Sequence, residues 1–189
     1  VDLVLEAGEV HCLVGENGSG KSTLIKIISG AQPPEAGGHI VIDGREYPHL
    51  TPVESTRLGI QVIYQDLSLF PNLTVAENIF AGREPTRFDL IDWAELRRRA
   101  ARVLEPLGVR LNPDARVGSL SVAMRQVVEI ARALSHEPKL LMLDEPTSSL
   151  ETHEVAQLAR LLRDLAKRGI GILYVTHKLK EVFDLADTV

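Results

Sequence analysis

The sequence of 189 residues contains a single cysteine, and aromatic residues make up only 4% of it. One thiol cannot form an internal disulfide, so Cys12 is expected as a small buried apolar residue of a chain that folds under reducing conditions. No apolar run comes near the roughly 18 residues needed to cross a bilayer, and no charged-then-apolar targeting segment opens the sequence. Any membrane role must therefore come through a partner. Internal repeats, low-complexity tracts and long flexible linkers are also lacking. Positive charge is in deficit: 21 Lys and Arg face 26 Asp and Glu, a formal balance of −5. That argues against a general nucleic-acid binder, whose affinity is built from clustered Lys and Arg. The one basic run, Arg97-Arg98-Arg99 with Arg102, lies on a predicted helix whose apolar stripe is Trp93, Leu96, Ala100, Val103 and Leu107. It reads as a solvated helix face, with a contact to another protein or a lipid headgroup as the alternative.

What is present fits one α/β domain with an inserted subdomain, since 44% of the residues are hydrophobic and 25% charged. Apolar runs at 10–14, 39–43, 60–64, 140–143 and 170–175 predict strands, most of them followed by helical periodicity. This pattern implies a mainly parallel sheet flanked by helices. The stretch from about 66 to 137 has helical patterns and no convincing strand, so it is expected to form a helical subdomain between α/β core segments at about 1–65 and 138–189. A helix over 154–168 should stop at Gly169. Val1-Asp2-Leu3-Val4-Leu5 reads as a strand already under way and Ala186-Asp187-Thr188-Val189 as the approach to another, as in a piece of a longer polypeptide.

The most informative segment is Gly15 to Thr23, Gly-Glu-Asn-Gly-Ser-Gly-Lys-Ser-Thr, set between the apolar run Val10–Val14 and the helical pattern Leu24, Ile25, Ile27, Ile28. A strand, a glycine-rich loop and a helix in that order make a cradle for a nucleotide triphosphate. Gly15, Gly18 and Gly20 allow successive N–H groups to point inward at phosphate, at a helix N-terminus that favours negative charge. Asn17, Ser19 and Thr23 complete the loop. Lys21 reaches the β- and γ-phosphates, and the Ser22 hydroxyl is a candidate Mg²⁺ ligand.

A second half of the site follows from Leu140-Leu141-Met142-Leu143, which runs straight into Asp144-Glu145. A buried strand thus delivers two carboxylates at its C-terminal end, the edge of a parallel sheet where ligands bind. Asp144 is the candidate acceptor for the Mg²⁺ shell, and Glu145 the group that orients or deprotonates an attacking water. The strand Gly171–Val175 ends in Thr176-His177, bringing an imidazole to the same edge. His11, His39, His49, His136 and His153 show no metal-ligand spacing.

Together these residues resemble the nucleotide-binding domain of ATP-binding-cassette (ABC) transporters along essentially the whole chain. In that family Gly15–Thr23 corresponds to the Walker A loop and Leu140–Glu145 to Walker B with its catalytic glutamate. Gln65 corresponds to the Q-loop glutamine at the Mg²⁺, Ser148–Glu151 to the D-loop and His177 to the switch histidine. The resemblance implies an ABC ATPase fold, ATP and Mg²⁺ as cofactors, and Glu145, His177 and Lys21 as catalytic residues. Leu120–Gln126 sits at the family signature, but Val122, Ala123 and Met124 replace two glycines and a glutamine. Side chains therefore crowd backbone that should approach a γ-phosphate, while Ser121 remains available. Because each signature serves the nucleotide of the opposite domain, Ser121, Val122 and Ala123 are expected to face a partner's site. Glu151 stands where the D-loop aspartate is usual.

A degenerate signature beside intact Walker motifs is similar to the N-terminal half of tandem ATPases of bacterial monosaccharide importers, of ribose, galactose and xylose type. That resemblance implies a second nucleotide-binding domain, transmembrane permease subunits and a periplasmic sugar-binding protein as partners. It also implies no nucleic acid, and a peripheral location on the cytoplasmic membrane face. Two other readings stand beside it: an ABC-type ATPase with no transport role, and a regulatory module that binds ATP without hydrolysing it.

Overall fold

The computed structural model describes residues 2–16, 18–66 and 68–189. In chain order its elements are β1 (Val10–Val14), α1 (Lys21–Ile28), β2 (Ile40–Ile42), β3 (Arg45–Tyr47), α2 (Pro52–Arg57), β4 (Ile60–Ile63) and α3 (Val75–Ile79). There follow β5 (Thr86–Arg87), β6 (Leu90–Ile91), α4 (Trp93–Leu104), α5 (Val122–Leu134), β7 (Leu140–Asp144), α6 (Thr152–Ala166), β8 (Gly171–Thr176) and α7 (Leu179–Leu185). The chain divides into two compact units, one formed by Val1–Gln65 with His136–Val189 and the other by Asp66–Ser135. No helix among the described residues is long and apolar enough to cross a membrane.

The first unit is built on a four-stranded sheet in the order β1-β8-β7-β4, parallel throughout. Its central strands β7 and β8 are continuous apolar runs, the pattern required when both faces of a strand are covered. Every residue of β8 is buried. Ile25 from α1 packs with Leu50, Ile60, Met142, Leu173 and Val175 in one core cluster. Helix α6 turns Leu158, Leu161, Leu162 and Leu165 inward, the spacing of one helical face. The chain leaves it through Gly169, whose φ of 91° is left-handed and whose N–H donates to Ala166 O.

Two strand expectations are corrected in this unit. The run 39–43 contributes β2, which pairs antiparallel with β3 in a separate hairpin instead of joining the parallel sheet. The intervening Asp43 and Gly44 both have positive φ, a turn conformation that returns the chain upon itself at once. Residues 2–6 carry no strand, although Leu3 and Leu5 pack against the core cluster. At the other end Thr188 forms a parallel bridge with His11, and Cys12 N–H donates to Thr188 O at 2.9 Å.

The second unit packs α3, α4 and α5 against one another. Thr74 and Glu77 cap α3 reciprocally, each side chain bonding the other's backbone N–H. Fully buried Asn78 accepts from Phe70 N–H and donates to the carbonyls of Phe70 and Thr74, so its amide is satisfied. On α4 the buried stripe is Leu96, Ala100 and Leu104, while Trp93 stays exposed. Arg98 and Arg99 pair with Glu95, and Arg97 with Asp114, on the solvent side of the helix. The short antiparallel pair β5–β6 corrects the expectation of a segment without strands; two residues per strand give too little alternation to stand out in the sequence.

Cys12 lies wholly buried in β1, and that burial, with the Glu181 and Asp187 charges, pushes its thiol up to about 11. A thiol so placed has almost no thiolate at neutral pH. In the folded protein at pH 8, Cys12 is expected to resist a disulfide-exchange reagent and to react fully once denaturant is added. Reaction at the same rate in both states would remove it from the core.

Candidate functional site

Because β1, β8 and β7 run parallel, their C-terminal ends share one edge of the sheet. The register sets Val14 beside Thr176 and Val175 beside Asp144. Gly15, Glu145 and His177, each the next residue of its strand segment, therefore leave the sheet side by side. This is the edge at which parallel α/β sheets bind ligands.

The loop from Gly15 turns into α1 at Gly20, whose φ of 94° is left-handed and which supplies no side-chain cap. The first-turn N–H groups of α1 thus have no side-chain acceptor from the capping position, the arrangement that receives an anion at a helix N-terminus. A Cβ at Gly15 would sit 2.6 Å from Ser19 Oγ, so a larger residue there would turn aside a hydroxyl that accepts from Lys21. Lys21 is buried, and its Nζ donates to Gly15 O at 2.6 Å, Glu16 O at 2.8 Å and Ser19 Oγ at 3.3 Å. A cation enclosed by neutral oxygens at a helix N-terminus leaves net positive potential in the loop.

Across the edge, Ser22 Oγ lies 3.5 Å from Asp144 Oδ2. Burial, and next the Glu145 charge, hold the Asp144 carboxyl above its ordinary range, outweighing the Ser22 hydroxyl and the Lys21 and Lys26 charges. A hydroxyl and a carboxylate this close, with excess negative charge, form the hard oxygen donor set suited to Mg²⁺ that also binds phosphate. Glu145 itself has a φ of 46°, uncommon outside glycine, and its N–H donates to Val175 O at 3.0 Å. From that backbone its Oε1 meets His177 Nδ1 at 3.0 Å.

The structure thus brings together Gly15, Ser19, Lys21, Ser22 and Asp144, and separately joins Glu145 to His177. Gly18, Gly20 and Thr23 lie exposed on the same loop and first helical turn. Gln65 is exposed two residues beyond β4, the strand beside β7. Asn17 lies outside the described residues. Ser121, Val122 and Ala123 belong to the second unit, where Ser121 Oγ caps α5 by accepting from Met124 N–H at 3.3 Å and Val122 is exposed. Glu151 precedes α6, and its N–H donates to Glu154 at 2.9 Å.

One group escaped sequence reasoning. Glu181 is buried behind the Glu145–His177 pair's own segments, receiving Thr147, Tyr174 and Thr176 hydroxyls. Its only trace in the sequence is an acid on the same helical face as Val182 and Leu185, both buried.

The family model described as ABC transporter matches residues 1–148. The chain is 50% identical over its full length to the ribose import ATP-binding protein RbsA 1 of Rubrobacter xylanophilus, of which it covers 38%. It is 47% identical, again over its full length and 38% of the relative, to the putative ribose/galactose/methyl galactoside import ATP-binding protein 3 of Agrobacterium fabrum. The chain therefore spans well under half the length of these relatives. Among solved structures it is similar to an ATP-binding cassette of an ABC transporter in its ADP conformation, with a TM-score of 0.86 and 27% identity over 99% of this chain and 77% of that one.

Asp144 yields a pH-dependent expectation. A group whose pKa is raised by folding binds protons more readily in the folded state, so its ionised form opposes folding at neutral pH and stops doing so below about pH 4. Asp144→Asn should therefore raise the unfolding midpoint at pH 7, with the gain fading as pH falls through the carboxylate range. A variant no more stable than the parent at pH 7 would show that the carboxylate is not under strain.

Proposed function

The chain belongs to the ABC transporter family, and from that premise we propose that it is an ATP-binding and ATP-hydrolysing domain that powers import of a monosaccharide. The observation that carries this reading is the shared sheet edge: a positively charged glycine loop, a strained carboxylate pair and an imidazole all leave three adjacent parallel strands together. Identity of about half the residues with ribose and galactose import ATP-binding proteins supports the sugar assignment. Asp66–Ser135 would be the helical subdomain.

In this mechanism Gly15–Thr23 wraps the triphosphate with backbone N–H groups, and Lys21 turns from the loop carbonyls to the β- and γ-phosphates. Two opposite charges about 4 Å apart attract by about 4 kcal/mol at an effective dielectric near 20, so the buried Lys21 matters far more than a surface lysine. Ser22 and Asp144, with Gln65 as a further donor, would hold Mg²⁺, which when bound neutralises charge on the phosphate oxygens. Glu145 accepts a proton from, or orients, the attacking water. His177 holds the Glu145 carboxylate through their hydrogen bond and can donate to the γ-phosphate.

Two such domains would close head to tail over two nucleotides and move permease helices through the helical subdomain and the segment after Gln65. The permease receives sugar from a binding protein on the far side, and the ATPase stays peripheral to the cytoplasmic face. The exposed Val122 side chain, where glycine would let backbone approach phosphate, points to a weakened site for the partner domain's nucleotide. The hydrolytic site is then the one built on Lys21, Glu145 and His177.

In the full-length protein, Glu145→Gln is expected to lower steady-state ATP turnover about a hundredfold or more while leaving ATP bound, the loss typical of a general base. Lys21→Ala should weaken ATP affinity at least about tenfold. Turnover at the parental rate in the Glu145→Gln protein would remove Glu145 from this role, and an ATP-binding parent that never hydrolyses would favour a regulatory module.

A further inference from the structure

The Glu145–His177 pair poses a geometric problem. His177 is half exposed, with its side chain 50% accessible, so packing alone does not hold the imidazole. Glu145 starts from a left-handed backbone that an L-residue leaves readily unless its surroundings over-determine it. Something must tie the two segments together.

Resting on the reading of this site as an ATPase centre, we propose that Glu181 is the positioning residue for the Glu145–His177 pair, its buried carboxylate pinning the segment after Glu145 to the segment that carries His177. Oε1 accepts from Thr147 Oγ1 at 2.6 Å and pairs with Lys178 Nζ at 3.3 Å. Oε2 accepts from Tyr174 OH at 2.8 Å and Thr176 Oγ1 at 3.1 Å. Thr147 follows Glu145 by two residues, while Thr176 and Lys178 flank His177. One carboxylate therefore holds both segments, each close to the reacting side chain.

Two further bonds close the clasp. Lys178 Nζ donates to Thr147 O at 3.0 Å, and Lys178 N–H donates to Thr176 Oγ1 at 3.1 Å. The two threonine hydroxyls thus donate to Glu181 while accepting from Lys178, at 3.4 Å in the case of Thr147. Burial would drive the Glu181 carboxyl upward, but the Thr147 and Tyr174 hydrogen bonds and the Lys178 charge outweigh it and hold the group below its ordinary value. The acid is therefore ionised at neutral pH, as four donors require. Glu181 lies outside hydrogen-bonding company with Glu145 and His177 themselves; it acts through their backbones. A fully satisfied buried network of this kind specifies one arrangement and resists alternatives.

The test uses the full-length protein assembled with its membrane partners, comparing the parent with Glu181→Ala and Glu181→Gln. Expected is a fall in kcat of about tenfold or more for Glu181→Ala with the ATP KM changed less than about threefold, and an intermediate rate for Glu181→Gln, which keeps one acceptor oxygen. In a His177→Ala background, Glu181→Ala should add no further loss in single-turnover hydrolysis, because residues acting as one unit are not additive. Should Glu181→Ala fail to fold, Tyr174→Phe removes the hydroxyl that donates to Oε2 and Thr147→Val the hydroxyl that donates to Oε1 and accepts from Lys178, each at nearly constant volume, and both should lower kcat in the same direction, again without effect beyond His177→Ala. Parental kcat in these variants, or losses that multiply fully with His177→Ala, would overturn the proposal while leaving the ATPase reading intact. A parent that binds ATP but never hydrolyses it would instead overturn the ATPase reading, and this inference with it.

Discussion

Because β8 pairs in parallel with β1 on one side and β7 on the other, segments far apart in sequence emerge at one edge of one sheet. The glycine loop, the carboxylate pair and the imidazole inherit their proximity from that pairing. A slip of one residue in β7 would turn Met142 toward the opposite face and carry Asp144 away from Ser22. Register is protected by burial: β8 is covered along its whole length, and Met142, Leu173 and Val175 are locked into the same cluster as Ile25 of α1. The hydrophobic core thus does more than stabilise the fold. It fixes the coordinates of groups that contribute nothing to it.

Electrostatics at that edge runs against stability. Lys21 is enclosed among carbonyl oxygens, Asp144 is held in a setting that disfavours its charge, and Glu145 occupies a left-handed backbone. The Asp144 charge and the Glu145 backbone are unfavourable alone, and under the proposed function a magnesium ion would bring the positive charge that Asp144 lacks. Local violations of this sort concentrate at functional sites. The Glu181 network is the opposite case, with every oxygen engaged, and it lies directly behind the strained segment.

Much of this was legible in the residues. The loop spacing, the apolar runs ending in Asp144-Glu145 and Thr176-His177, and the periodicity of α6 follow from local rules, because strand and helix periods and glycine positions act over short distances. What the residues concealed has physical reasons. The run at 39–43 has strand chemistry, but whether it joins a sheet or folds back depends on the turn at Asp43-Gly44 and on which edges are free. Strands β5 and β6 are too short to show a period. Glu181 carries no motif in the sequence; only the fold reveals that Thr147, Tyr174 and Thr176 converge on it. The basic run on α4, by contrast, follows its pattern, since Arg98 and Arg99 simply meet Glu95 one turn away.

The central claim is that one triphosphate is bound at this edge by all three segments at once. A structure of the full-length protein carrying Glu145→Gln, determined with MgATP, tests it directly. The triphosphate is expected to lie within the Gly15–Thr23 loop, with Ser22 and Asp144 on its magnesium side and residue 145 and His177 at the γ-phosphate. A nucleotide bound elsewhere, or in the loop with Asp144, residue 145 and His177 turned away from its phosphates, would contradict it.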